Sequence, residues 1–163
     1  MHCENKETSN NFKKSKVMKK FMILAASLLL FSVTSAYADN DRPIQFNQLP
    51  EAAQQFINTY FPDQKVSFAK EERDFMEVSY EVMFTNSIKI EFAGNGEWKE
   101  VKCKYSTLPE GIVPEQIVNY VNTNFQGVSI YAIDRGYRDV EVSLTNGLEL
   151  TFDLNYNLID MDD

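Results

Sequence analysis

The sequence predicts an α+β fold of two tandem α-β4 repeats, with helices packed on one face of an antiparallel sheet. The first observation is that residues 81–101 and 141–161 align without a gap and share Glu, Val, Thr, Asn, Phe and Asn. The second is the alternation of apolar and polar residues, which is typical of strands with one buried face. The third is a Leu-Pro-Glu motif at 49–51 and 108–110, each ahead of an apolar stripe of helical period.

The first 38 residues are predicted to be a leader that contains a secretory signal peptide. Lys19 and Lys20 precede an apolar run over 21–31, and an Ala-x-Ala site predicts cleavage after Ala38. The run is shorter than the roughly 20 residues of a membrane span, although an N-terminal anchor is the alternative. We therefore expect an exported protein, with no membrane association after cleavage.

The charge balance limits the partners of residues 39–163, which we expect to form one domain. The chain has 16 basic and 24 acidic residues, and six of the bases and two of the acids lie before residue 39. The remainder carries 10 bases against 22 acids, a net charge of −12. This balance argues against nucleic acid or an anionic membrane as a partner, and favours a basic partner or weak binding of cations.

The first predicted repeat covers 46–104 and follows a flexible lead-in over 39–48. Its helix begins at Leu-Pro-Glu, because proline suits the first helical turn and glutamate suits the positive end of the helix dipole. Pro62 and Asp63 end that helix. Alternation and turn residues, such as Gly94-Asn95-Gly96, predict strands over 65–71, 75–84, 88–92 and 98–105.

The second predicted repeat covers 105–163 and has the same order of elements. Its helix is expected to begin near Pro114 and to end near Phe125. Its strands are expected over 127–133, 137–145, 147–153 and 157–161. Short turns predict antiparallel neighbours, and one helix in each repeat is available to cover the buried face of the sheet.

These motifs, taken together, resemble those of the PepSY-like family. They are an export signal, two Leu-Pro-Glu helices ending at 58–61 and 122–125, and hairpins at 85–86, 94–96, 145–146 and 155–157. The resemblance covers nearly all of 46–162. It implies helices packed on an antiparallel sheet in tandem repeats. It also implies a beta-lactamase-inhibitor-like exported protein, periplasmic or secreted, of a Gram-negative bacterium. An exported hydrolase is therefore a candidate partner, but the resemblance assigns no functional residue to this chain.

The residues of common catalytic and metal sites are scarce after the leader. The one histidine is His2, and Cys103 is the one cysteine outside the leader, where its alternation predicts a buried thiol. Asp153, Asn155 and Asn157 have the spacing of a calcium loop, but Leu158 occupies the position that requires glycine, so a hairpin turn is favoured. We therefore predict no catalytic residue, no cofactor and no metal site, with a carboxylate-based hydrolase as the enzymatic alternative.

Three aromatic residues are the candidate partner contacts: Phe75, Trp98 and Tyr137. Strand alternation places each of them among charged residues on the exposed face, where large aromatics can anchor an interface. Packing at a sheet edge is the alternative explanation. The sequence thus predicts an exported, non-catalytic binding module of unknown partner. Inhibition of a peptidase or other hydrolase is one candidate role for it. The alternative is an acidic divalent-cation-binding or envelope-stress protein.

Overall fold

The computed structural model describes residues 41–74 and 77–163, and the predicted leader lies outside them. The described residues form nine strands, one short 3-10 helix at Phe46–Gln48 and two α-helices, α1 (Glu51–Tyr60) and α2 (Glu115–Asn124). The strands are β1 (Arg42–Ile44), β2 (Val66–Asp74), β3 (Glu77–Phe84), β4 (Ile88–Ala93), β5 (Trp98–Cys103), β6 (Ile130–Arg135), β7 (Asp139–Leu144), β8 (Glu149–Asp153) and β9 (Leu158–Asp162).

All nine strands belong to one antiparallel sheet, in which their spatial order is their order along the chain. The predicted fold class of two tandem α-β4 repeats, with helices packed on one face of an antiparallel sheet, is therefore wrong. The sheet continues from β5 to β6 through the pairs Glu100–Asp134, Val101–Ile133 and Lys102–Ala132. A strand edge carries unpaired N–H and C=O groups, so pairing β5 with β6 satisfies groups that two separate units would leave open.

The strand β1 lies in the segment that was expected to be a flexible lead-in, and that expectation is also wrong. Its three residues pair with Glu71, Lys70 and Ala69 of β2. Pro43 sits in the middle of β1, where alternation does not indicate a strand. Proline is tolerated here because β1 is the edge of the sheet and needs hydrogen bonds on one side only.

The buried side chains come from alternate positions along the strands, as the period-2 pattern predicts. In β4 the residues Ile88, Ile90 and Phe92 are buried, while the intervening residues are partly exposed. Both helices contribute to the same buried cluster, α1 through Ala53 and Ile57, α2 through Ile117 and Val121. The strand members of the cluster are Ala69, Val82, Phe84, Ile88, Ile90, Phe92, Val101, Cys103, Ile133, Val140, Val142, Leu144, Leu150 and Phe152.

Aromatic rings set the position of each helix. In α1 the ring of Phe56 meets that of Phe92 edge to face at 5.9 Å, and in α2 Tyr120 meets Phe152 in the same way at 5.6 Å.

Gly96, with φ of 85°, lies where the β4–β5 turn approaches the start of α1. A Cβ there would stand 2.7 Å from the Cβ of Pro50, so this turn requires glycine. Neither of the two α-helices is long and apolar enough to span a membrane.

Glu71 is the one buried charged residue in the described part of the chain, with 5% of its surface exposed. Its carboxylate accepts hydrogen bonds from Arg73 Nε at 2.5 Å and from Arg42 Nη2 of β1 at 3.0 Å. The bond from Arg73, with that from Arg42, holds the pKa of Glu71 below its usual value against the opposing effect of burial. Both arginines are more than half exposed, so the carboxylate is buried beneath partners that face solvent.

We predict that Glu71→Gln lowers the free energy of unfolding at neutral pH by about 1 to 2 kcal/mol, since two charge-assisted bonds are weakened. Because the folded pKa is depressed, this stabilisation is complete above the ordinary carboxylate pKa. It is lost as the pH falls through the folded pKa. Urea denaturation of the variant and the parent over this pH range measures the difference.

The control is Glu77→Gln, because the Glu77 side chain is 69% exposed and lies 3.5 Å from Lys99. An exposed pair of this kind contributes little, so the control should stay close to the parent. Equal destabilisation by the two variants, or a Glu71→Gln effect that persists at acid pH, would contradict the prediction.

Candidate functional site

Two of the three candidate partner residues, Trp98 and Tyr137, lie at one end of the sheet, which we call the hairpin end. In an antiparallel sheet whose order follows the chain, alternate turns meet at the same end. The hairpin end comprises the turns at residues 94–97, 136–138 and 154–157, together with the strand ends that they join. Trp98 begins β5 at this end, and Tyr137 lies in the β6–β7 turn. Phe75 lies outside the described residues, so its predicted role stays a prediction.

Trp98 faces the opposite side of the sheet from the one that alternation predicts. A β-bulge breaks the β4–β5 register, so that Glu91 pairs with Glu100 but Phe92 pairs with Trp98, and Lys99 is the extra residue. One extra residue reverses the face of every side chain beyond it. Trp98 therefore lies with Phe92 on the buried face, with its ring 5.9 Å from Phe56, rather than with Glu100.

Arg135 covers the outer face of the Trp98 ring. The guanidinium carbon lies 4.6 Å from the ring centroid, which is a cation–π geometry. Beside this pair is a cleft of about 210 Å³, to which Tyr156 and Pro114 also contribute. Within the described residues Arg135 has no carboxylate at ion-pair distance, so the polar edge of its guanidinium is available to a ligand.

Tyr137 projects from the same end and is 93% exposed. Along the chain it lies between Arg135 and Arg138, two basic residues in a domain of acidic charge. The structure thus brings two of the three predicted partner residues to one end of the sheet. Trp98 is part of the packed surface there, whereas Tyr137 is free of the core.

A row of five carboxylates crosses the exposed face of the sheet, and we call it the acidic row. Each member stands directly opposite the next on adjacent strands, which brings like charges to the distance of cross-strand neighbours. The acidic row consists of Glu81, Glu91, Glu100, Asp134 and Glu141. Such opposition destabilises the folded chain unless cations lie nearby.

Lysines lie at ion-pair distance from three of the five carboxylates of the acidic row. Lys89 Nζ lies 2.7 Å from Glu91 Oε1 and 2.6 Å from Glu100 Oε2, and Lys70 Nζ lies 3.7 Å from Glu81 Oε2. Burial acts to raise the pKa of Glu91, but the hydrogen bond from Lys89 holds it below its usual value. Glu81 lacks such a bond, and burial raises its pKa.

The other two members of the acidic row, Asp134 and Glu141, have no cation at ion-pair distance among the residues that the structure describes. Burial, followed by the charges of Glu100 and Glu91, raises the pKa of Asp134. Burial, followed by the charge of Glu149 and then that of Asp134, raises the pKa of Glu141. These two carboxylates therefore hold unneutralised negative charge on the face of the sheet.

The acidic residues of the described ranges do not converge into a chelating site. In the described ranges no three His, Cys, Asp or Glu side chains are placed to hold one metal ion. Asp153 Oδ1 accepts hydrogen bonds from the backbone N–H groups of Asn155 and Asn157, at 2.8 and 2.9 Å, so the calcium-like spacing forms a hairpin turn.

Cys103 is buried as predicted, and burial raises the pKa of its thiol.

Comparison with protein families now adds to this geometry. The family model described as "Putative beta-lactamase-inhibitor-like, PepSY-like" matches residues 78–160. The chain belongs to the PepSY-like family. The resemblance found in the turn and helix motifs of the sequence is therefore confirmed.

Three solved structures resemble this PepSY-like chain. A "putative periplasmic protein" of the DUF2874 family from Bacteroides vulgatus is 51% identical, with a TM-score of 0.75, covering 77% of this chain and 99% of that one. A "putative calcium-regulated periplasmic protein" from Bacteroides thetaiotaomicron is 49% identical, with a TM-score of 0.74 and coverage of 76% and 98%.

A third similar structure, a "putative periplasmic protein of unknown function" from Bacteroides vulgatus, is 34% identical, with a TM-score of 0.73 and coverage of 76% and 100%. A search of curated proteins gave no significant match. The descriptions of the three structures agree with the predicted export of this PepSY-like chain.

Sequence reasoning missed the acidic row, although four of its five members occupy exposed positions of predicted strands and the fifth, Asp134, directly follows one. Glutamate occurs at such positions in β3, β4, β5 and β7, which was a visible signal. The row itself depends on the register of four strand pairs, including the distant pair β5–β6, and alternation does not specify register.

We predict that Glu141→Gln raises the free energy of unfolding at neutral pH by about 0.5 kcal/mol, because it removes a like-charge contact that solvent partly screens. The folded pKa of Glu141 is raised, so the gain should be complete above that pKa. It should vanish below the ordinary pKa, where the carboxyl is protonated in both states. Urea denaturation at several pH values measures it, with Glu110→Gln, an exposed carboxylate in a loop, as the control. Destabilisation by Glu141→Gln at neutral pH would refute this account of the acidic row.

Proposed function

We propose that this PepSY-like protein is an exported, non-catalytic binding module that contacts a protein partner through the hairpin end. The observation that carries the proposal is the stacking of Arg135 on Trp98 at the end of the sheet that also exposes Tyr137, two residues further along the chain. Tyrosine, tryptophan and arginine are the residues most enriched at the energetic centres of protein interfaces.

The geometry of Arg135 supports such a role. Its flat face rests on Trp98 and on no carboxylate, so the ring restricts the side chain while its N–H groups stay free to donate. Arginine donors pair best with carboxylates, and Arg138 adds a second positive charge beyond Tyr137. The partner surface is therefore expected to combine an apolar patch with at least one carboxylate.

The size of the cleft favours a macromolecular partner over a small substrate. Its volume of about 210 Å³ is smaller than the roughly 300 to 1,000 Å³ of small-molecule sites. Buried Cys103 is a poor nucleophile, because the raised pKa of its thiol disfavours the reactive thiolate. An exported hydrolase is the candidate partner that the inhibitor-like description of the family suggests.

The test is capture of the partner from a periplasmic extract on immobilised protein, followed by titration of the captured protein. We expect saturable binding that the double variant Arg135→Ala/Tyr137→Ala weakens by about tenfold or more, as at an interface centre. Trp98 is left unchanged, because its ring also packs on Phe56 of α1.

The matched control is Tyr105→Ala, which removes a tyrosine that is 75% exposed at the other end of the sheet. It should leave capture unchanged. Equal loss of binding in the control, or binding that survives the double variant, would place the contact elsewhere and refute the proposal.

A second candidate function is divalent-cation binding. It is favoured by the calcium-regulated description of the relative that is 49% identical, and by the unneutralised charges of Asp134 and Glu141. Since no chelating group of three ligands is present among the described residues, binding would be weak and would depend on the summed charge of the acidic row.

Titration calorimetry and thermal unfolding with calcium test this second candidate. We expect measurable heat and a rise in melting temperature at millimolar calcium, both reduced in Asp134→Asn/Glu141→Gln, because a ligand that binds the folded state stabilises it. Sodium chloride at equal ionic strength is the control for screening. If sodium chloride reproduces the rise, or if the double variant keeps it, the acidic row is not a calcium site.

A further inference from the structure

An open depression of about 750 Å³, which we call the cavity, lies at the end of the sheet opposite the hairpin end. It is formed by the end of β5 and the segment that follows it, the start of β6 and the turn that follows β7. Its volume is within the roughly 300 to 1,000 Å³ of small-molecule sites, unlike the cleft beside Trp98.

The charge of this cavity is opposite to that of the domain. Residues 39–163 hold 22 acidic side chains and 10 basic ones, yet the residues that line the cavity include Lys102 and Lys104 and no carboxylate. Lys70, Lys89 and Lys99 all have acidic partners within 4 Å, whereas Lys102 and Lys104 have none in the part of the chain that the structure describes. Two lysines without an acidic partner among the described residues therefore line the same cavity.

Hydroxyl groups form most of the remaining polar lining. They can donate to and accept from a ligand that itself carries hydroxyls. Thr145 Oγ1 already accepts the Ser129 N–H at 3.1 Å, so its own hydrogen remains free to donate to a ligand. The hydroxyl residues of the lining are Tyr105, Ser106, Thr107, Ser129, Tyr131 and Thr145.

Two tyrosine rings give the cavity apolar surfaces. Tyr131 is the extra residue of a β-bulge in β6, where Ile130 pairs with Leu144 and Ala132 pairs with Ser143. Bulges redirect side chains and are frequent beside binding sites. Tyr105 is 75% exposed, and Lys104 Nζ lies 5.4 Å from its ring centroid, so the two side chains stand together at the rim.

We propose that this cavity binds a sugar that carries a phosphate or sulfate ester. The ester oxygens pair with Lys102 and Lys104, the sugar hydroxyls bond to the hydroxyl side chains, and the apolar face of the sugar rests on a tyrosine ring. The net negative charge of the domain does not prevent this. At physiological ionic strength charges are screened beyond about 8 Å, so the two local lysines dominate the field in the cavity.

The test is titration calorimetry of the purified protein with glucose 6-phosphate, glucose 6-sulfate, glucose and inorganic phosphate. We expect saturable binding of at least one ester, and the tighter ester identifies the anion that the site prefers. The double variant Lys102→Gln/Lys104→Gln should weaken that binding by about tenfold or more, because hydrogen bonds to a charged group are lost. The control Lys65→Gln/Lys99→Gln changes the net charge equally and should retain the affinity within about twofold.

A second variant separates recognition of the sugar from recognition of the anion. Tyr131→Ala should weaken binding of the ester while thermal unfolding shows that the fold is retained. The proposal is overturned if neither ester saturates at millimolar concentration, or if the lysine variant binds as tightly as the parent. It is also overturned if inorganic phosphate or plain glucose binds as tightly as the ester, since the site would then recognise only one part of the ligand.

Discussion

The backbone ladder between β5 and β6 is the interaction on which the rest of the structure depends. Its three residue pairs join strands separated by a long loop and α2, and they turn two sets of hairpins into one sheet. The same ladder places Val101 beside Ile133 in the core and Glu100 beside Asp134 on the exposed face. Core continuity and the acidic row are therefore two results of one set of hydrogen bonds.

The ladder also separates surfaces of different chemistry. At one end it brings the start of β5 next to the end of β6, so Arg135 reaches Trp98. At the other end it brings the segment after β5 next to the start of β6, where Lys102 and Tyr131 share a cavity. Between them lie carboxylates whose repulsion Lys89 only partly offsets. The ladder thus places a cationic region at each end of the sheet and an anionic region on its exposed face.

Alternation and turn residues predicted local structure well and long-range structure poorly. Each of the eight predicted strands overlaps an observed one, and both helices begin after the expected prolines, Pro50 and Pro114. The short edge strand β1 was missed because its central residue is a proline, which does not indicate a strand. The predicted face of Trp98 was wrong because a single bulge, which the apolar–polar pattern does not reveal, reverses the alternation. The surface features were missed or misplaced for the same reason: they depend on register between strands, which is set by pairing in three dimensions.

The order of the strands has a consequence for how the chain reaches its native state. The sheet has eight strand pairings. Most of them close over short turns, which form rapidly because little chain entropy is lost. The β5–β6 pairing must instead enclose α2 and its flanking loops. That closure is the most non-local step of the meander, so it is the natural place for the kinetic barrier. Changes within the loop that carries α2 should then alter the folding rate more than changes in any hairpin turn.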